Sequence, residues 1–217
     1  MSGDREARAL AAGDSVIIAD DEGRETTFRL RPITAQHLCD MERDALRSYK
    51  RQYLSTYSEN PDLIAALLGD ASRETIARKI EEVAGWGLEQ LPRKTSYDAA
   101  SLPITAEARV LIAARQGEAP PEDDACRAIL GWMLDSGDLS PDEAGKVCGR
   151  RPKSATVRYD QWWVTARIEG MVAFIAASVR YDRPDVTREQ VARWPVAKIV
   201  EAARAVERLS VPDLGNT

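Results

Sequence analysis

His37 is the single histidine among 217 residues, and Cys39 stands two positions beyond it. A cysteine activated by a histidine would make a thiolate nucleophile, but residues two apart on a helix point about 200° apart, so these two do not face each other. The three cysteines, Cys39, Cys126 and Cys148, are odd in number and share no ligand-like spacing. They read as buried reduced thiols rather than as a disulfide framework or a zinc site. The acids Glu118, Glu122, Asp123 and Asp124 fall in a Pro/Ala/Gly-rich stretch with nothing to fix ligand geometry, which reads as a solvated loop. No GxSxG, HExxH, Walker-type or GxGxxG pattern is present. The expectation is a non-enzyme with no catalytic, metal or cofactor-binding residues.

The sequence does carry one electrostatic pattern, a change of sign. Residues 118–143 hold eight acids against Arg127 alone, whereas residues 146–158 hold Lys146, Arg150, Arg151, Lys153 and Arg158 and no acid. The segment 139–163 has the outline of a helix-turn-helix: Ser140-Pro141 opens a short helix, Gly149 stands at the turn, and Ser154 would start a second helix. Its apolar positions fit that motif imperfectly, since Ala155 falls where a larger side chain belongs. A formal charge of −5 and a pI near 5.2 argue against a protein that coats nucleic acid. The candidate partner-binding residues are Arg150 and Arg151 on the basic connector, the adjacent pair Trp162 and Trp163, and Trp194.

The elements that position these residues are set by periodicity and capping. Val16 to Arg31 alternates on either side of Asp20-Asp21-Glu22-Gly23 and predicts one β-hairpin, which two strands alone cannot stabilise in water. Thr34 then caps a helix running to about Tyr57, with Leu38, Met41, Ala45, Tyr49 and Tyr53 on one face and Arg43, Arg47, Lys50 and Arg51 on the other. Asn60-Pro61 opens a second helix, and Ser72 a third with Ile76, Ile80, Val83 and Trp86 along its stripe. Leu91 to Pro103 has prolines near both ends and no period, the signature of a connection or domain boundary. Helices are expected at 105–116, 125–134 and 141–148, and from Val196 to about Leu209, with a capping box at Thr187-Arg188-Glu189-Gln190. Between them Tyr159 to Arg180 reads as one central helix, apolar almost all round from Gly170 to Val179.

The fold class expected is mainly α, a multi-helix bundle with one N-terminal β-hairpin. Its layout is a flexible 1–13, hairpin and helices over 14–92, a connection at 93–103, a helical domain over 104–210 and a flexible tail, 211–217. The charged N-terminus lacks a signal-peptide core, and the apolar run after Gly170 is about half the length of a membrane span, so a cytoplasmic protein is expected.

Two segments carry a family resemblance. The leading segment TTFRLRPITAQHLCDMER runs a short strand straight into an amphipathic helix; RPDVTREQVARWPVAKIVEAARAVERLS places a capping box before a short helix and a final amphipathic one. Together they resemble the beginnings and ends of tailed-bacteriophage tail assembly chaperones and cover about a quarter of the chain. The resemblance implies a non-catalytic protein of the host cytoplasm whose partners are tape-measure or tail-tube subunits. Exposed helix faces would shield those subunits until assembly displaces them. A DNA-binding regulator using 139–163 and a virion connector or tail protein are the alternatives.

Overall fold

The structure, a computed structural model, describes residues 14–19, 23–59 and 73–210, without the side chains of 56–59 and 73–76. The termini 1–13 and 211–217, the expected hairpin loop at 20–22, the helix expected after Asn60-Pro61 and its neighbour Ser72 fall outside the described residues. Alternation of apolar and polar residues makes β1 (Asp14–Ala19) and β2 (Glu25–Leu30), paired antiparallel with Val16 opposite Phe28. Val16 and Leu30 are buried, so one face of the hairpin closes over the helical core. The long amphipathic pattern becomes α1 (Ala35–Glu59), and α2 (Arg73–Ala84) packs beside it.

The stretch expected to be an aperiodic connection is the first correction. A single 3-10 turn at Leu88–Gln90 leads into β3 (Arg93–Asp98), a regular strand. Next come α3 (Ala106–Gln116), capped by the Thr105 hydroxyl, α4 (Asp123–Ser136), and α5 (Pro141–Cys148), capped by Ser140 and closed by Gly149 in the left-handed conformation. Beyond Gly149 the chain enters β4 (Lys153–Arg158), antiparallel to β3 with Thr95 opposite Thr156. The segment 139–163 is therefore helix–strand–helix, and the helix-turn-helix outline is overturned. Thr156 and Val157 are β-branched, and pairing with β3 supplies backbone hydrogen bonds that an isolated half-buried helical turn would lack. The protein is mainly α-helical, with a second two-stranded sheet in addition to the expected hairpin.

The central helix is the next correction. Tyr159 to Arg180 is two helices, α6 (Tyr159–Ala166) and α7 (Ile168–Val179), bent by 85° at Arg167, whose backbone is extended. Gly170 makes the bend possible: a Cβ there would lie 2.7 Å from the carbonyl carbon and 2.9 Å from the Cδ2 of Trp163. The second half keeps the central role: α7 is buried from Gly170 to Ala176 and touches α1, β2, α6 and the last two helices, α8 (Arg188–Val191) and α9 (Val196–Ser210). Among the described residues no single helix is long and apolar enough to cross a membrane; the bent α6–α7 pair passes by length and composition alone.

Ser178, the polar interruption in that apolar run, ties α7 to the residue that follows β2. Its buried hydroxyl accepts from the Arg31 N–H and donates to the Arg31 carbonyl, both at 2.6 Å. The Ile33 N–H donates to Ser210 Oγ on α9, and the Arg31 guanidinium grips Asp182 through two hydrogen bonds of 2.8 and 3.0 Å. A hairpin that two strands could not hold in water is fixed to α7 and α9 by these contacts and by Phe28 against Trp194.

Candidate interaction surface around the β3–β4 ribbon

Six of the chain's thirteen aromatic residues gather where α1, α6 and the end of α2 meet. Trp86 stacks on Tyr49 at 5.9 Å and meets Tyr53 edge-on at 4.8 Å; Tyr49 leans on Tyr159 at 4.9 Å, and Tyr159 on Trp162 at 5.4 Å. Trp163 lies beneath them, buried among Ala45, Tyr159 and Ala173. These rings reach one another because α1 places Tyr49 and Tyr53 four residues apart on one face, and α6 does the same with Tyr159 and Trp163. Lys94 of β3 ends the row, its ammonium 5.1 Å from the centre of the Trp162 ring. The aromatic row is the footing on which the ribbon stands.

Hydrogen bonds fix the ribbon to α4. Asp135, whose side chain is completely buried, accepts from the Tyr97 N–H at 2.8 Å and the Ser96 hydroxyl at 2.9 Å. Its own carbonyl accepts from Trp162 Nε1 at 3.0 Å, while Trp132 Nε1 donates to the Ala166 carbonyl at the bend. Burial pushes the Asp135 carboxyl above the usual carboxylate range, against the Tyr97 and Ser96 hydrogen bonds and the Arg204 charge, which pull it down. The carboxylate ties β3 to α4, and the main-chain carbonyl of the same residue ties α4 to the Trp162 indole.

The face of β3–β4 away from α4 and α6 carries charge. Arg93 stands directly opposite Arg158 in the register, an unfavourable cross-strand pair unless one charge is neutralised. Arg158 is the one that is: it donates to Asp160 at 2.9 and 3.1 Å and to Glu42 at 2.7 Å, and these partners hold its pKa above the ordinary value. A groove of about 470 Å³ opens beside the pair, lined by Glu42, Leu88, Glu89, Leu91, Arg93 and Arg158.

The expected partner residues divide. Arg150 and Arg151 are exposed just after the Gly149 cap; Arg151 reaches Asp142 at 3.2 Å, and Arg150 makes no ion pair among the described residues. Trp162 is half-buried between Asp135 and Lys94. Trp163 and Trp194 are buried in the chain's own core at 1% and 8% exposure, so a partner meeting the folded chain touches neither in quantity. An adjacent Trp pair on a helix must split between inward and sideways directions, and both directions are occupied by α1, α4 and β3. Arg93 and Lys94 join the surface although their segment carries the marks of a connection; the alternation in RKTSYD is the signal that points to them.

The remaining chemistry-bearing residues have structural surroundings. His37 Nδ1 lies 2.9 Å from the Thr34 hydroxyl, and its ring meets Tyr181 edge-on. Cys126 and Cys148 are buried, and burial raises both thiol pKa values, whereas Cys39 is exposed, a correction to the reading of three buried thiols. Asp123 and Asp124 occupy the first turn of α4, not a free loop, and pair with Arg109 and Arg127 at 2.6 Å each. Among the described residues no group of three potential metal ligands forms.

Comparison with known proteins adds no family: no protein-family model, no curated protein and no solved structure matches the chain.

Proposed function

We propose that this chain is a non-catalytic tail assembly chaperone of a tailed bacteriophage, acting in the host cytoplasm on tape-measure or tail-tube subunits. The observation that supports this reading most is the union of the two segments that carry the family resemblance. The strand–cap–helix opening and the capping-box close, far apart in sequence, pack on each other through the Ile33–Ser210 hydrogen bond and the contact of Phe28 with Trp194. That union sets α1 and the β3–β4 ribbon on one frame, with polar and basic side chains outward. A holding function needs a rigid frame and an exposed recognition surface, and it needs no reactive group.

The test is co-expression of the full chain with the tape-measure or tail-tube protein of the same phage. The expected result is transfer of that protein from the pellet to a soluble complex that purifies through this chain. Failure to change its solubility, with no complex formed, would overturn the reading. Stoichiometric recovery of this chain in purified virions would instead assign it to the finished particle.

A further inference from the structure

We propose that the outer edge of β4 is a docking site for an extended, acidic peptide segment of a partner protein, which adds to the β3–β4 ribbon as a third strand. The inference deepens the chaperone reading by naming a surface and the chemistry of the segment it takes.

The sheet order is β3–β4, so β4 has strand on one side only. Lys153, Ser154, Ala155 and Thr156 are all exposed. Outside the β3 ladder, none of the backbone groups of Lys153–Val157 makes a hydrogen bond among the described residues. Alternate residues of β4 therefore turn N–H and C=O groups into solvent along a straight run of six residues. Among the described residues no proline, bulge or covering loop blunts this edge, and its central side chains are a serine, an alanine and a threonine, too short to screen the backbone.

Charge selects the occupant. Arg93, Arg150 and Lys153 make no ion pair among the described residues, and all three lie on the ribbon or its approach. Lys153 stands opposite Asp98 in the register without an ion pair, while Asp98 accepts from the Ala100 N–H. A second copy of the chain is a poor occupant. Antiparallel self-pairing of β4 about a two-fold axis at Ala155 sets Lys153 of one copy opposite Val157 of the other and gives neither Lys153 nor Arg150 an acid. A partner strand carrying Asp or Glu at alternate positions on the face of Lys153 offers that ammonium an acid, with Arg150 on the approach to the strand, and completes the backbone ladder, the main-chain-plus-alternate-side-chain mode of strand addition. Duplex nucleic acid would satisfy the cations but not the outward carbonyls, so the open edge favours the peptide.

The experiment uses the full chain and three labelled peptide probes of equal length. One alternates Glu with Val or Thr, one replaces each Glu by Lys, and one keeps the acidic composition but places proline at every third position. Fluorescence anisotropy reads affinity, and amide hydrogen exchange reads protection of Lys153–Val157. The acidic strand-forming probe is expected to bind and to slow exchange in β4, with affinity falling at least about tenfold in the R150E/K153E variant, as loss of charge complementarity at a docking edge demands. Both substitutions lie at exposed positions and leave the core untouched. Equal binding of the proline-interrupted probe would show charge attraction without strand addition and overturn the proposal. So would no binding by the acidic probe, or binding of a short DNA duplex in its place. The same R150E/K153E variant, tested in the co-expression assay, separates the two readings. If it still solubilises the tail subunit, the chaperone function stands and this surface is wrong; if the wild type fails there, the function itself falls.

Discussion

Asp135 offers a stringent test of how the ribbon is held. Its carboxylate is buried, receives one backbone and one hydroxyl hydrogen bond, and has Arg204 Nη2 at 3.9 Å, an arginine whose Nη1 is already bound to Glu207 at 2.9 Å. Two accounts of this residue make opposite predictions. If hydrogen bonds hold β3, D135N should be nearly neutral. The Asn carbonyl accepts from Tyr97, and its NH2 donates to Ser96 Oγ, so the change should stay within about 1 kcal/mol either way. D135A leaves the Tyr97 N–H without its acceptor beside a small void and should cost about 2–4 kcal/mol. For a chain of this length that lowers the melting temperature by roughly 4–16 °C. If the ion pair with Arg204 were what matters, both substitutions would cost alike, and R204A would match them. The pH dependence sharpens the choice. The folded carboxyl has a raised pKa, so the folded state holds its proton more tightly than the unfolded chain does. Its contribution is fully present below the ordinary carboxylate pKa and is lost as pH rises through the folded value; urea unfolding of the wild type should show that downward slope relative to D135N. The assay is urea denaturation followed by tryptophan fluorescence from about pH 3.5 to 8, a range that spans the ordinary carboxylate pKa and a raised one. Equal losses in D135N and D135A, or a wild-type stability that rises relative to D135N across that range, would refute the reasoning.

Two further predictions concern the bend and the aromatic footing. G170A forces a methyl into the Trp163 backbone, and the main chain cannot give way as a flexible side chain would; a loss of about 3 kcal/mol is expected by thermal unfolding, and a change under about 0.5 kcal/mol would mean that the α6–α7 bend is not held by this contact. The buried Tyr159 hydroxyl has no hydrogen-bond partner among the described residues, so Y159F should leave stability unchanged or raise it by about 1 kcal/mol in urea titrations, whereas a loss above that size would show that the hydroxyl has an acceptor.

Elements specified within a few residues are legible in the sequence. Thr105, Ser140 and Thr187 each cap the helix whose start their neighbours signal, and the alternation around Val16 and Phe28 makes the hairpin. Each of those signals is complete within one turn of helix or one strand. The β3–β4 ribbon is illegible for the opposite reason. RKTSYD and KSATVR are short, mostly polar and about 60 residues apart, and neither is stable as a strand without the other. Their half-buried face comes from Lys94, Ser96 and Val157, a set with little hydrophobic contrast. Asp135 is visible as a charge following Trp132-Met133-Leu134, but its purpose, to accept from β3, exists only once β3 exists.

The bend at Arg167 links that illegibility to the functional surface. An apolar run from Gly170 to Val179 after a Trp pair satisfies every periodicity test for one long helix, and Gly170 alone would be tolerated there at about 1 kcal/mol. The packing of both halves decides against it. A straight helix continuing from the buried α7 would carry Tyr159, Trp162 and Trp163 away from Tyr49, Ala45 and Asp135 and leave that aromatic area in water. At roughly 25 cal/mol per Å² and about 150–250 Å² for each ring, covering three such side chains outweighs one broken turn of helix by several kcal/mol. The bend returns α6 across α1 and α4, and β4, which runs directly into α6 at Tyr159, is thereby laid against β3. The proposed docking edge is in this sense a consequence of Gly170: the glycine that lets the helix turn also brings the basic strand to the surface with one side unpaired.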